Sequence, residues 1–261
     1  MKQKIRAFFR NDKKWVPWLI RILCMILAAL VFGMSLRVIS VTGNKGIDVS
    51  SHNGKIRWSE VRKDGVSFAL IRCGGRAYGR SARIYEDTEF RRNLTHAHRN
   101  GLKVGIYFYS QATSEDEARA EAQYCIDALK GANLELPIYI DMEETQTGGR
   151  GRADGLNREQ RDNIINAFSK VVRSKGYDAG VYANRWYLNN CLNVDKLRKG
   201  TSIWLAEYNN RTSPIFQGDW DIWQYTQKGQ VAGIDGYVDM NRLSRFFPGD
   251  VRSSKNYNFH I

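Results

Sequence analysis

Beyond residue 44 the chain alternates short apolar runs with amphipathic stretches of helical period. The runs GIDVS (46–50), VSFALIRCGG (66–75), KVGIYFYS (103–110), LPIYIDME (136–143) and AGVYAN (179–184) read as strands. After each comes a helical stretch: IRWSEVRKDG, DTEFRRNLTHAHRNG, SEDEARAEAQYCIDALKG, NREQRDNIINAFSKVVRSKG and RWYLNNCLNVDKLRKG. Ser114 with Glu117 and Asn157 with Gln160 have capping-box spacing, and Gly101, Gly131, Gly176 and Gly200 stand where helices end. Ile164, Ile165, Phe168, Val171 and Val172 form one apolar helix face. SIWLAEY, WDIWQYT and YVDMNRL then follow with no room for long helices between them.

Five β/α units and three further strands predict an α/β fold with a parallel sheet closed as a TIM-like barrel. An open doubly wound sheet is the competing architecture, but GGRAYG after the second strand does not open a helix as a nucleotide loop would.

In such a barrel the C-terminal strand ends form the working face. Side chains alternate along a strand, so Ile140 and Met142 pack against helices while Tyr139, Asp141 and Glu143 turn inward. The same parity sends Asp48, Tyr107, Tyr109, Tyr182, Trp204, Tyr208, Gln224 and Asp239 inward. Glu144 begins the following loop, where it is expected to be solvated. A single Asp after a strand is most often a turn residue. Four carboxylates at one barrel mouth are different, because their crowding costs stability unless it serves chemistry. Acids ringed by aromatic and hydroxyl groups suit a carbohydrate. Glu143, crowded by three aspartates, is expected to hold a proton near neutral pH and act as general acid. Asp141, two residues away on the same face, is placed to orient an N-acetyl group in a substrate-assisted reaction.

Net charge is +13, with eight Lys/Arg and one Asp in the first forty residues. Six of those basic residues precede Trp15, and from Trp15 to Leu36 the only charge is Arg21. That pattern predicts a basic cytoplasmic tail (1–14), an uncleaved transmembrane signal anchor (15–37) in the lipid bilayer and a linker (38–45). The barrel (46–248) would lie outside the cytoplasmic membrane, in the cell wall or periplasm, followed by a tail (249–261). Trp15 and Trp18 would sit at the membrane interface. Topology thus accounts for the basic cluster, and no nucleic-acid motif accompanies it. Cys125 and Cys191 read as small core residues and Cys73 ends a strand. Three cysteines in an exported body cannot all pair within one chain, so no disulfide is predicted. No metal-binding spacing appears, and no metal or organic cofactor is implied.

GIDVSSHNGKIRW, GIYFYS, YIDMEE, GVYAN, IWLAEY, IWQYT and GIDGYVDMNRL, in order from Gly46 to about Phe246, resemble the glycoside hydrolase family 25 muramidases, the Chalaropsis-type lysozymes. The resemblance implies a (β/α)5(β)3 barrel that cleaves the β-1,4 bond between N-acetylmuramic acid and N-acetylglucosamine in peptidoglycan. It implies that Glu143 is the proton donor, Asp141 its partner on the same strand, and Asp48 and Asp239 the acids of the first and last strands. Asp235 matches no catalytic position. The basic TQTGGRGRADG segment after the fourth strand is expected to be a solvated loop. A non-catalytic wall-binding protein is disfavoured by the presence of all four acids. A chitinase is disfavoured because PIYIDMEE lacks the first acids of a D-x-x-D-x-D-x-E run.

Overall fold

The computed structural model describes residues 24–25, 45–79, 81–145 and 151–244. The expected tail, nearly all of the expected span and the C-terminal tail fall outside them. Among the described residues no helix is long and apolar enough to cross a membrane. The chain divides between residues 43 and 44, and everything below concerns the second unit.

Its elements run β1 (Lys45–Val49), α1 (Trp58–Lys63), β2 (Phe68–Arg76), β3 (Ile84–Glu86), α2 (Phe90–Arg99), β4 (Lys103–Tyr109) and α3 (Glu115–Leu129). They continue with β5 (Ile138–Asp141), α4 (Arg158–Ser174), β6 (Ala179–Asn184), α5 (Arg185–Asn190), β7 (Ser202–Ala206), β8 (Ile222–Gly229) and β9 (Val238–Leu243). The parallel succession β1-β2-β4-β5-β6-β7-β8 closes through β9, which runs antiparallel to both β8 and β1. This is the expected eight-strand barrel.

Strand parity separates two apolar layers. Ile47, Val49, Ile71, Ile106, Phe108, Ile140, Val181 and Leu205 pack outward with the helices. Phe68, Leu70, Tyr107, Tyr139, Trp204 and Ile222 fill the barrel interior. Small residues make room for the large ones inside: a Cβ at Gly46 would overlap the Phe68 ring, and one at Gly180 the Tyr139 ring.

Four features differ from the sequence expectation. β3 is a ninth strand, a three-residue arm antiparallel to the end of β2, with Gly74 opposite Glu86 and Arg76 opposite Ile84. The stretch 185–200 is not one helix. Asp162 of α4 accepts the Asn193 N–H (3.0 Å) and side-chain amide (2.7 Å), and the chain turns into a single 3-10 turn at Val194–Lys196. The segment after β5 is also not simply solvated. Arg152 donates to Glu117 (2.8 Å) and to the Gln111 carbonyl (2.9 Å), docking the loop on α3; residues 146–150 lie outside the described set. The same Glu117 leaves the α3 capping box half made. Ser114 accepts the Glu117 N–H, but the Glu117 carboxylate turns to the Thr113 N–H and Arg152. The Asn157–Gln160 box on α4 is complete.

Candidate active site

A cavity of about 530 Å³ opens at the C-terminal ends of the parallel strands. Asp48 and Asp239 are register partners on β1 and β9, Asp141 ends β5, and Glu143 follows two residues later; all four line the cavity. Glu144 is exposed.

The four acids have unequal surroundings. Asp48 is buried, and its Oδ2 accepts from Asn241 (2.7 Å) and Gln224 (2.9 Å). Burial, then the charge of Asp239, raises its pKa well above the usual carboxylate range. Asp48 also shares a hydrogen bond with Asp239, which raises the first acid and lowers the second. Asp48 is therefore the member that keeps the proton and donates it to Asp239.

Asp141 is buried, and its Oδ1 has no hydrogen-bond partner. Burial, Glu143 and Asp48 raise its pKa, and Arg72 opposes them. Glu143 is pushed up to about 6, first by burial and then by Asp239. Burial thus outranks the crowding of like charges from which the sequence argued.

The aromatic residues expected at the mouth divide by role. Tyr107, Tyr109, Tyr182 and Trp204 line the cavity, Trp204 at its buried floor with the Tyr182 ring tilted 59° against it at a 4.4 Å centroid distance. Burial raises the phenols of Tyr107, Tyr109 and Tyr182, so they serve as neutral hydrogen-bonding groups. Gln224 lines the cavity too, but protein partners hold its amide. Its Oε1 accepts from Tyr208 (2.6 Å) and Tyr182 (3.0 Å) while its Nε2 holds Asp48. Tyr208 is half exposed and reaches the site through that bond. Asp235 is exposed and pairs with Arg57 at 3.5 Å.

Sequence reading missed several contributors. Arg72 has the inward parity of Phe68 and Leu70 and stands in register with Tyr107. Its Nε donates to Asp87 Oδ2 (2.8 Å) and its Nη2 to Ser51 Oγ (3.2 Å), while the Ser51 N–H also donates to Asp87 (2.9 Å). Parity alone would have found Arg72. Asn241, two residues after Asp239, bridges Trp204 Nε1 (2.8 Å) to Asp48, and the same alternation points to it. Tyr78 and Tyr85 enter from the hairpin that the sequence did not reveal, and Tyr237 from the turn before β9. Among the described residues no group of His, Cys, Asp and Glu is arranged to hold a metal ion.

Known lysozymes resemble this chain in sequence and in fold. Lysozyme M1 of Streptomyces globisporus is 28% identical over 210 residues, covering 78% of this chain and 68% of its own. The lysozyme of Streptomyces coelicolor superposes with a TM-score of 0.63 at 28% identity, covering 77% of this chain and 92% of that one. The modular autolysin LytC of Streptococcus pneumoniae gives a TM-score of 0.66 at 29% identity and has also been solved with a synthetic peptidoglycan ligand. The match covers 77% of this chain but 46% of LytC, so the chain spans about half of that longer protein. Residues 47–234 match the model of glycosyl hydrolases family 25, and the chain belongs to that family.

Proposed function

We propose that this protein is a peptidoglycan hydrolase, an N-acetylmuramidase that cleaves the β-1,4 bond between N-acetylmuramic acid and N-acetylglucosamine. The observation that carries this reading is the pairing of Glu143, its pKa lifted to about 6, with the buried and unpartnered Asp141 in one aromatic-walled cavity. Glu143 is protonated in mildly acidic surroundings and donates to the glycosidic oxygen. Asp141 Oδ1, free of protein donors, accepts the N–H of the substrate's N-acetyl group. That bond aims the acetyl oxygen at the anomeric carbon, and the carboxylate stabilises the positive charge that develops as the oxygen attacks. Arg72 favours the ionised form of Asp141 that this role requires. Asp48 and Asp239, joined side by side by a hydrogen bond on neighbouring strands, bind sugar hydroxyls or the incoming water. The faces of the cavity tyrosines, Tyr78 and Tyr237 the most exposed of them, pack on the sugar rings.

The sequence around residues 15–37 supports a second part of the proposal. The protein is a single-pass membrane protein with its N-terminus in the cytoplasm and the barrel outside, held in the bilayer close to its polymer substrate.

Incubating the protein with purified cell walls should lower turbidity and release muropeptides with N-acetylmuramic acid at the reducing end, read by mass spectrometry. Glu143→Gln should reduce that release by about 10²–10⁴-fold, as loss of a general acid does. Undiminished activity in this variant would remove Glu143 from the donor role, and products ending in N-acetylglucosamine would remove the muramidase assignment.

A further inference from the structure

Two thiols meet in the wall behind the cavity. Cys73 follows Arg72 on β2, at the point where the register of β2 on β4 shifts between Arg72 and Gly74. Cys125 lies on the buried face of α3 with Ala118, Ala122 and Leu129. Both residues are fully buried and their Sγ atoms stand 3.4 Å apart, 52 positions apart in sequence. The sulfurs need to approach by roughly 1.4 Å to reach a covalent S–S length. Cys191 is buried near the end of α5 and Cys24 lies outside this unit, so the pairing leaves each of them as a free thiol.

We propose that Cys73 and Cys125 are a modification site that becomes a structural cystine, tying the irregular point of β2 to α3. The co-reactant is a disulfide oxidant, either a small molecule or a protein. One cysteine thiolate attacks the oxidant's S–S bond, forming a mixed disulfide and releasing one thiol. The second thiolate then attacks the cysteine sulfur of that mixed disulfide, closing the bridge and releasing the second thiol. The two cysteines lose two electrons and two protons, and the oxidant becomes two thiols. Full burial closes both thiols off from the oxidant, and it raises the Cys125 thiol pKa well above its usual value, so the folded reduced pair is poorly reactive. Cross-linking therefore accompanies folding, before α3 closes over β2. The bridge encloses β3, α2 and β4, and it removes conformational freedom from that stretch in the unfolded chain. It also fixes β2 one residue beyond Arg72. The cross-link goes beyond the glycosidase reading and does not depend on it.

The test refolds the full-length chain in detergent from its reduced, denatured form, in glutathione buffer rich in glutathione disulfide. Alkylation, proteolysis and mass spectrometry should then show one linked peptide pair containing Cys73 and Cys125, with Cys24 and Cys191 alkylated. Four alkylated cysteines, or a linkage through Cys191, would overturn the assignment. The oxidised protein should melt about 5–10 °C above the same protein in dithiothreitol. Cys191→Ser should keep that difference and Cys125→Ser should abolish it. Equal melting temperatures for the oxidised and reduced wild-type protein would overturn the stabilising role.

Discussion

Arg72 and Glu143 act on the acids of the cavity in opposite senses, and each effect has a testable sign. Burial, Glu143 and Asp48 push Asp141 toward its protonated form, and Arg72 is the cation that resists them. Arg72→Gln therefore raises the Asp141 pKa further, and the acid limb of the kcat profile moves to higher pH. Arg72→Lys, which keeps the charge but loses the paired bonds to Asp87 and Ser51, should shift that limb less. Coincident acid limbs in all three proteins would remove Arg72 from this role. On the alkaline side, the folded Glu143 binds its proton up to about pH 6, against an ordinary value of 4.5. Between those values the native state holds a proton that the unfolded chain has released, so stability falls as pH rises through the window. Glu143→Gln removes that loss. Its stability gain should be absent below about pH 4.5 and reach about 2 kcal/mol above pH 6. Urea unfolding at pH 4 and pH 7 measures the difference. Asp141 and Glu143 were legible in the sequence because alternation along one strand is a strictly local rule. The bond from Asn241 to Asp48 was not, since it joins residues 193 positions apart.

At the scale of elements, what the chain puts inside the barrel decides what the strands can carry outside it. Tyr139 fills the interior opposite Gly180, and its hydroxyl bonds Ser202 at 2.9 Å, so three neighbouring strands meet at one ring. Gly180→Ala drives a methyl group into that ring. Its cost should be about 1–3 kcal/mol in chemical denaturation, the range for an overpacked core. An unchanged midpoint would mean that the ring can move aside. The period-2 and period-3.6 patterns revealed the barrel because each strand and each long helix buries a single face. They did not reveal β3, whose three residues contain only one full alternation and show no fully buried position. They also overran α5, because the turn there depends on Asp162 of another helix. Cys73 and Cys125 belong to the same class: one reads locally as a strand end and the other as a core residue, and only the packing of α3 against β2 brings them together.

The whole molecule joins a basic, apolar N-terminal segment to a barrel whose working cavity is lined by acids. The proposed anchor would determine where the reaction occurs, whereas the barrel holds all four candidate catalytic acids. The two should therefore be separable: a chain lacking residues 1–44 should keep its specific activity on soluble muropeptide oligomers, because no cavity residue is removed. In cells, the full chain should sediment with membranes and resist alkaline carbonate, and the shortened chain should appear in the soluble fraction. Two results would count against this division. Carbonate-extractable full-length protein would remove the spanning segment, and loss of oligomer hydrolysis on truncation would mean that the N-terminal residues help to form the active barrel. Salt gives an independent handle on the same division. A basic body attracts anionic wall polymers through screened charges, so added salt should weaken the shortened chain on whole walls more than on small oligomers. The anchored form, delivered to its polymer by the membrane, should lose less of its activity under the same change.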